Sequence, residues 1–189
     1  MALPHPSPPS DGDEPALAVS PILQRDAGPI PGDVYLPSTP GHVRWGRLPC
    51  RADAPVLTIA PGTCVTIDTV SHEGILEDQG RDPLAYFAQH GVPAASVLGD
   101  AVEIAAGPGH DPATDGPHVI TGPIHVEGAC PGDLLKITVL TLAPRVPYGV
   151  ISNRHGRGAL PGELPRGEGN VSVFCPVEQR PGGLVGVLP

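Results

Sequence analysis

Proline and glycine decide how long any regular segment of this chain can run. Its 189 residues include 27 Pro and 25 Gly, together about 28% of the chain, near the level at which low complexity becomes a concern. The excess has two sources. Ten prolines fall within residues 1–40 among few large apolar groups, and such a stretch cannot bury enough surface to offset its ordering entropy. Residues 1–40 are therefore expected to form a Pro-rich, flexible or extended leader, with a short strand near Val34-Tyr35-Leu36. Beyond residue 40 the same two residue types act as punctuation between short β-like runs.

Those runs carry the fold reading. His42-Val43-Arg44-Trp45 is a candidate first strand, with Trp45 as its anchor. Val56-Leu57-Thr58-Ile59 is followed by Ala60-Pro61-Gly62-Thr63, which has Pro and Gly in the order of a type II turn. Cys64-Val65-Thr66-Ile67-Asp68-Thr69-Val70 is β-branched and alternating, hence a strand. The arrangement returns at Pro131-Gly132-Asp133, followed by Leu134-Leu135-Lys136-Ile137-Thr138-Val139-Leu140-Thr141-Leu142, where Leu135, Ile137 and Val139 share one face. Residues 123–127 and 171–175 read as further short strands.

One helix is expected: Asp82 suits an N-cap, Pro83 the first helical position and Gly91 the C-terminal stop, with Leu84, Phe87 and Ala88 as its apolar face. Residues 97–106 fit a strand or a helix equally. Short strands and frequent turns predict a mostly-β fold, a sandwich or barrel-like arrangement with one short helix. Aromatic residues are only 3% of the chain, so its core must come from Val, Leu, Ile and Ala.

Charge and cysteine content narrow the function classes. A formal net charge of −9, a single lysine and scattered arginines leave no cationic cluster to neutralise phosphates, which argues against nucleic acid and against anionic membranes. Cys50, Cys64, Cys130 and Cys175 are too widely spaced for a zinc knuckle or a dense disulfide framework, so free buried thiols in a reducing compartment are expected. The start, Met1-Ala2-Leu3-Pro4-His5-Pro6, lacks the basic and apolar regions of a signal peptide, and no apolar run is long enough to span a bilayer. A cytoplasmic location follows by elimination.

Ionisable residues concentrate in Ser71-His72-Glu73-Gly74-Ile75-Leu76-Glu77-Asp78-Gln79-Gly80-Arg81, directly after a strand that would fix their positions. His72 can serve as general base or metal ligand, with Glu73 or Asp78 as carboxylate partner. The plainer reading is a solvated loop whose charges cap the next helix. A second polar cluster, His110-Asp111 and Asp115-Gly116-Pro117-His118, offers His118 to the same centre; His110 and His125 read as structural or exposed. The glycine-rich residues 147–161 lack the Gly-Lys-Ser/Thr ending of a phosphate loop and leave Asn153 and Arg154 as exposed polar groups. No Gly-x-Ser-x-Gly elbow occurs, and Lys136, mid-strand, is a poor catalytic lysine.

The pieces Ser71-His72-Glu73-Gly74-Ile75-Leu76-Glu77-Asp78-Gln79-Gly80-Arg81-Asp82-Pro83, Asp115-Gly116-Pro117-His118-Val119-Ile120-Thr121-Gly122-Pro123-Ile124, Val126-Glu127-Gly128-Ala129-Cys130-Pro131-Gly132-Asp133-Leu134-Leu135-Lys136 and Val146-Pro147-Tyr148-Gly149 through Pro161, in that order, resemble the acetamidase/formamidase family. The resemblance covers most of residues 56–175, and its specific part is Thr-Gly-Pro-Ile followed by Gly-Ala-x-Pro-Gly-Asp; Cys130 departs from the acidic residue usual in that turn. It implies hydrolysis of short-chain amides to carboxylate and ammonia on a β-rich domain, here residues 41–189. It also implies a divalent metal, zinc being the usual suggestion, which would activate water and polarise the amide carbonyl. On that reading His72, Glu73 and Asp78 are catalytic, His72 and Glu73 hold the metal, and His118 and Asn153 bind the amide. The family's chains are longer, so the resemblance further implies the N-terminal part of such a chain, with some site residues missing and a sheet edge exposed. The partner is then a small amide, and a homo-oligomer is compatible with the reading. The competing reading is a non-catalytic β-sandwich module for binding or assembly.

Overall fold

The computed structural model describes residues 21–107 and 110–189. In chain order these form β1 (Val34–Leu36), β2 (Val43–Trp45), β3 (Leu57–Ile59), β4 (Val65–Ile67), α1 (Pro83–Ala88), α2 (Gly99–Ala106), β5 (Val119–Thr121), β6 (Ile124–Val126), β7 (Tyr148–Arg154), β8 (Asn170–Arg180) and β9 (Gly183–Gly186). The fold is mostly β. Strands β1 and β4 pair in parallel, as do β3 and β6; β2 and β5 pair antiparallel. Strands β7, β8 and β9 form an antiparallel meander. The four sheets are small and open, so the strand pairing stops short of the sandwich or barrel expected from the turn spacing.

Local sequence accounts for most of the elements. Gly62 takes a φ of 87°, as a type II turn between β3 and β4 requires. Asp82 caps α1 by accepting from the Ala85 amide at 3.0 Å, with Pro83 at the first helical position. The buried side of α1 is Pro83, Tyr86 and Phe87; Leu84, expected on the apolar face, is exposed. Of residues 97–106, Gly99–Ala106 form α2, a second helix, while Val97 and Leu98 are extended. Its cap is not local: Gln24 Oε1 accepts from the Gly99 amide at 2.9 Å, while Gln24 Nε2 donates to the Val97 carbonyl at 2.8 Å. A partner 75 residues away is invisible to a local sequence pattern.

The expected leader divides. Residues 1–20 lie outside the described residues. Residues 21–40 are tied to the body: they carry β1, the Gln24 cap and Ser38, which is fully buried and lies 3.0 Å from Thr121 Oγ1. Apolar contacts add to these polar ones: Leu36 is 2% exposed and Ile22 packs against the core.

Two apolar clusters sit behind the site. Trp45, Val70, Ile75, Leu76 and Leu98 pack with Ala101, Ile104 and Ala105 of α2, whose spacing puts them on one helix face. Tyr86, Phe87 and Val97 form the other, against Tyr148, Val150 and Phe174 of the meander. Residues 134–142, expected as a strand with one buried face, are instead exposed and pair with nothing among the described residues. All four cysteines are free thiols, but only Cys175 is buried as expected; Cys64 is half-buried, and Cys50 and Cys130 are exposed. Among the described residues no helix is long and apolar enough to cross a membrane.

One buried ion pair joins distant parts of this arrangement. Asp100, in the first turn of α2, has a side chain with no exposed surface. Arg145 Nη2 lies 2.7 Å from its Oδ2 and 3.3 Å from Asp68 Oδ2, and Arg145 Nε donates to the Leu23 carbonyl at 3.0 Å. Arg25 Nε also stands 3.4 Å from Asp100 Oδ1, so removing Arg145 leaves the buried carboxylate only partly compensated. Arg145→Leu is therefore expected to lower the unfolding free energy by at most about 3–5 kcal/mol, measured by urea denaturation. Adding Asp100→Asn to that variant should recover part of the loss.

Candidate active site beyond strand β4

The segment after β4 leaves a well-held strand. The Asp68 amide donates to the Leu36 carbonyl at 3.0 Å, and Thr121 Oγ1 donates to the Asp68 carbonyl at 2.9 Å. Val70 then enters the core, and Ile75 and Leu76 return the chain to it two turns later. Between these anchors the backbone is folded by its own side chains. Ser71 Oγ accepts from the Glu73 amide at 3.2 Å, and Gln79 Oε1 accepts from the Gly74 amide at 2.8 Å. Gly74 has a φ of 80°, and a Cβ there would stand 3.1 Å from Pro83 Cα and from Tyr86 Cδ1. Glycine is what lets the loop lie directly on α1. Residues 73–76 are buried, so the solvated-loop reading does not hold for the middle of the segment.

Glu73 is the centre of this arrangement, with only 3% of its surface exposed. Its Oε1 faces His72 Nε2 at 3.0 Å and accepts from Ser152 Oγ on β7. Its Oε2 accepts from Gln79 Nε2 at 2.5 Å and lies 3.4 Å from the Tyr86 hydroxyl on α1. Burial alone would raise the carboxyl pKa. The donors from His72, Ser152 and Gln79 more than offset it and hold the pKa at about 2. Glu73 is thus a carboxylate at neutral pH and accepts from His72 Nε2–H, leaving His72 Nδ1 as the ring's basic nitrogen.

His118 joins the centre from a different element. It directly precedes β5, where its carbonyl accepts from the Gly46 amide at 2.8 Å. Its ring stands 5.3 Å from that of His72, nearly perpendicular to it. His72, Glu73 and His118 therefore come together as the polar pattern predicts.

The other candidates are placed differently. Asp78 binds Arg154 through two contacts, at 2.5 and 3.1 Å, and Arg154 depresses its pKa. It reaches Glu73 only through a chain, since Arg154 Nη1 also donates to Ser152 Oγ at 3.3 Å. Asp78 is thereby a support for the centre, not a member of it. Asn153 lies between Ser152 and Arg154 on β7, so strand alternation turns it to the opposite, exposed face. Its side-chain oxygen accepts from the Arg154 amide at 2.8 Å, and the amide-binding role expected of it is not supported by this placement. His110 is structural: its ring is buried against Trp45, and Nδ1 lies 2.9 Å from Glu77.

Four contributors escaped the sequence reading: Gln79, Tyr86, Ser152 and Arg154 in these roles. Residues 148–154 read as glycine-rich turns, yet they form β7. The signal was present in their period of two, with Tyr148, Val150, Ser152 and Arg154 half-buried on one face.

A metal was tested against these donors. Among the described residues no three His, Cys, Asp or Glu side chains are grouped to hold an ion. Catalytic zinc takes three protein ligands; His72, Glu73 and His118 are the candidates at this centre, and both Glu73 oxygens already accept hydrogen bonds. A cleft of about 250 Å³ lined by Val43, Arg44, Trp45, Arg47, Ile104 and Asp115 does not include the His72 centre, which lies open at the surface.

Comparisons with protein-family models, known proteins and solved structures return no match for this chain.

Because the folded-state pKa of Glu73 lies below its ordinary value of 4.5, its charge stabilises the fold fully above that value, and the contribution fades as pH falls toward about 2. In denaturation curves collected from neutral pH downward, Glu73→Gln should be less stable than the parent at neutral pH by about 1–3 kcal/mol. The difference should shrink below the ordinary glutamate range.

Proposed function

We propose that this chain is a cytoplasmic amide hydrolase acting on short-chain amides such as formamide and acetamide, giving the carboxylate and ammonia. The observation that carries the reading is the buried Glu73 carboxyl 3.0 Å from His72 Nε2, beside the exposed ring of His118. The ordered motifs resembling the acetamidase/formamidase family supply the substrate class.

The chemistry follows from the proton positions. His72 Nδ1 takes a proton from a water molecule as that water's oxygen bonds to the amide carbonyl carbon. Glu73 stabilises the imidazolium that forms and does not itself change protonation, since its carboxyl titrates far below neutrality. His118 donates to the carbonyl oxygen as negative charge develops there. The imidazolium returns its proton to the departing nitrogen as the C–N bond breaks, releasing ammonia and the acid. Arg154, held by Asp78, keeps Ser152 on Glu73. No step is assigned to a metal ion; were the zinc implied by the resemblance bound, His72 and His118 would be its nearest imidazole donors.

A second reading, a non-catalytic module for binding or assembly, is favoured by one observation: the exposed apolar residues 134–142. Ammonia release separates the two readings. The full chain incubated with formamide or acetamide should release ammonia, with and without added zinc. His72→Ala should lower the rate by about 10²–10⁴-fold, the usual contribution of a general base. Absence of release from the parent chain under both conditions, or an unchanged rate in His72→Ala, would contradict the proposal.

A further inference from the structure

Residues 134–142 are the least satisfied stretch of the described chain. They follow the turn beyond β6, and every one of them is exposed, from Leu134 at 99% to Leu142 at 86%. Leu134, Leu135, Ile137, Val139, Leu140 and Leu142 all face solvent. Among the described residues none of the nine enters a hydrogen bond or a strand pairing. A β-branched, apolar, unpaired segment of this kind is a template for adding another strand.

We infer that residues 134–142 form an interface between two copies of this chain, pairing antiparallel with themselves about a two-fold axis at Thr138. The sequence is self-complementary in that register. Leu134 then faces Leu142 of the other copy, Leu135 faces Thr141, Lys136 faces Leu140, Ile137 faces Val139 and Thr138 faces Thr138. Directly opposite residues share a face of the pair. One face therefore becomes Leu135, Ile137, Val139 and Thr141 twice over, with no charged group in it.

Charge selects the same arrangement. The chain is acidic overall, which opposes association of copies, yet these nine residues contain no Asp or Glu and one Lys. Centring the axis on residue 136 would set Lys136 against Lys136, a destabilising like-charge pair. Centring it on residue 137 would leave residues 141 and 142 without partners within the segment. The Thr138 axis pairs all nine and separates the two lysines by four strand positions, roughly 13 Å, beyond the screening length in physiological salt. The result is an isologous dimer, the commonest kind of homo-oligomer. It does not depend on the amidase reading.

Register-specific cross-linking tests it. Opposite Cα atoms in an antiparallel pair stand roughly 4.5–5.5 Å apart, within disulfide reach. With Cys50, Cys64, Cys130 and Cys175 changed to Ser, Thr138→Cys should oxidise to a covalent dimer. Leu134→Cys alone should not, but should cross-link when mixed with Leu142→Cys. Sedimentation of the parent chain should show a dimer, and Ile137→Lys, which puts charge into the apolar face, should give a monomer. The unsubstituted chain provides a second readout: amide exchange in residues 134–142 should slow as concentration rises. A monomeric parent chain would overturn the inference, whether those amides exchange freely or are protected at every concentration. So would a dimer that survives Ile137→Lys and fails to cross-link through Thr138→Cys.

Discussion

A carboxylate buried to 3% exposure must be either neutral or surrounded by donors, and Glu73 is surrounded. That requirement organises the whole neighbourhood. Gln79 is brought back by a tight turn, Tyr86 comes from α1, Ser152 comes from β7, and His72 comes from the adjacent residue. Each donor belongs to a different local structure, so satisfying one charge fixes the loop against the helix and the meander together. Gly74 makes this possible, because any side chain there would collide with Pro83 and Tyr86.

The same constraint separates support from chemistry. Glu73 has no remaining role as an acid, since its charge is consumed in holding donors. What it gives His72 is orientation and one defined protonated nitrogen. Asp78 and Arg154 stand one step further out, acting on Ser152. The site thus has a buried polar centre with two imidazoles at its surface, which suits proton transfer to a small neutral substrate better than binding of a charged one.

What the sequence displayed was whatever is written in near neighbours. Trp45 as a strand anchor, the Pro61-Gly62 turn, the Asp82-Pro83 helix start and the strand at Val34–Leu36 all follow from residues within a turn of one another. The clustering of His72 and Glu73 was visible for the same reason, and His118 could be suggested from composition. Partners distant in the chain were not visible. Gln24 caps the helix at Gly99–Ala106 from 75 positions away, and Ser152 reaches Glu73 across 79. Residues 134–142 show the opposite failure. Their alternation reads as a half-buried strand, but alternation records a capacity to pair and does not supply the partner.

The orientation of His72 depends on Glu73 being ionised in the folded protein at neutral pH. Carbon-13 NMR of the glutamate side-chain carboxyls, with Glu73 assigned by Glu73→Gln, measures this directly. A Glu73 resonance is expected that holds its carboxylate shift through the ordinary glutamate range near 4.5 and titrates only toward about 2, or not before acid unfolding. A midpoint at or above the ordinary glutamate value would contradict it, and would remove the basis for His72 as an oriented base.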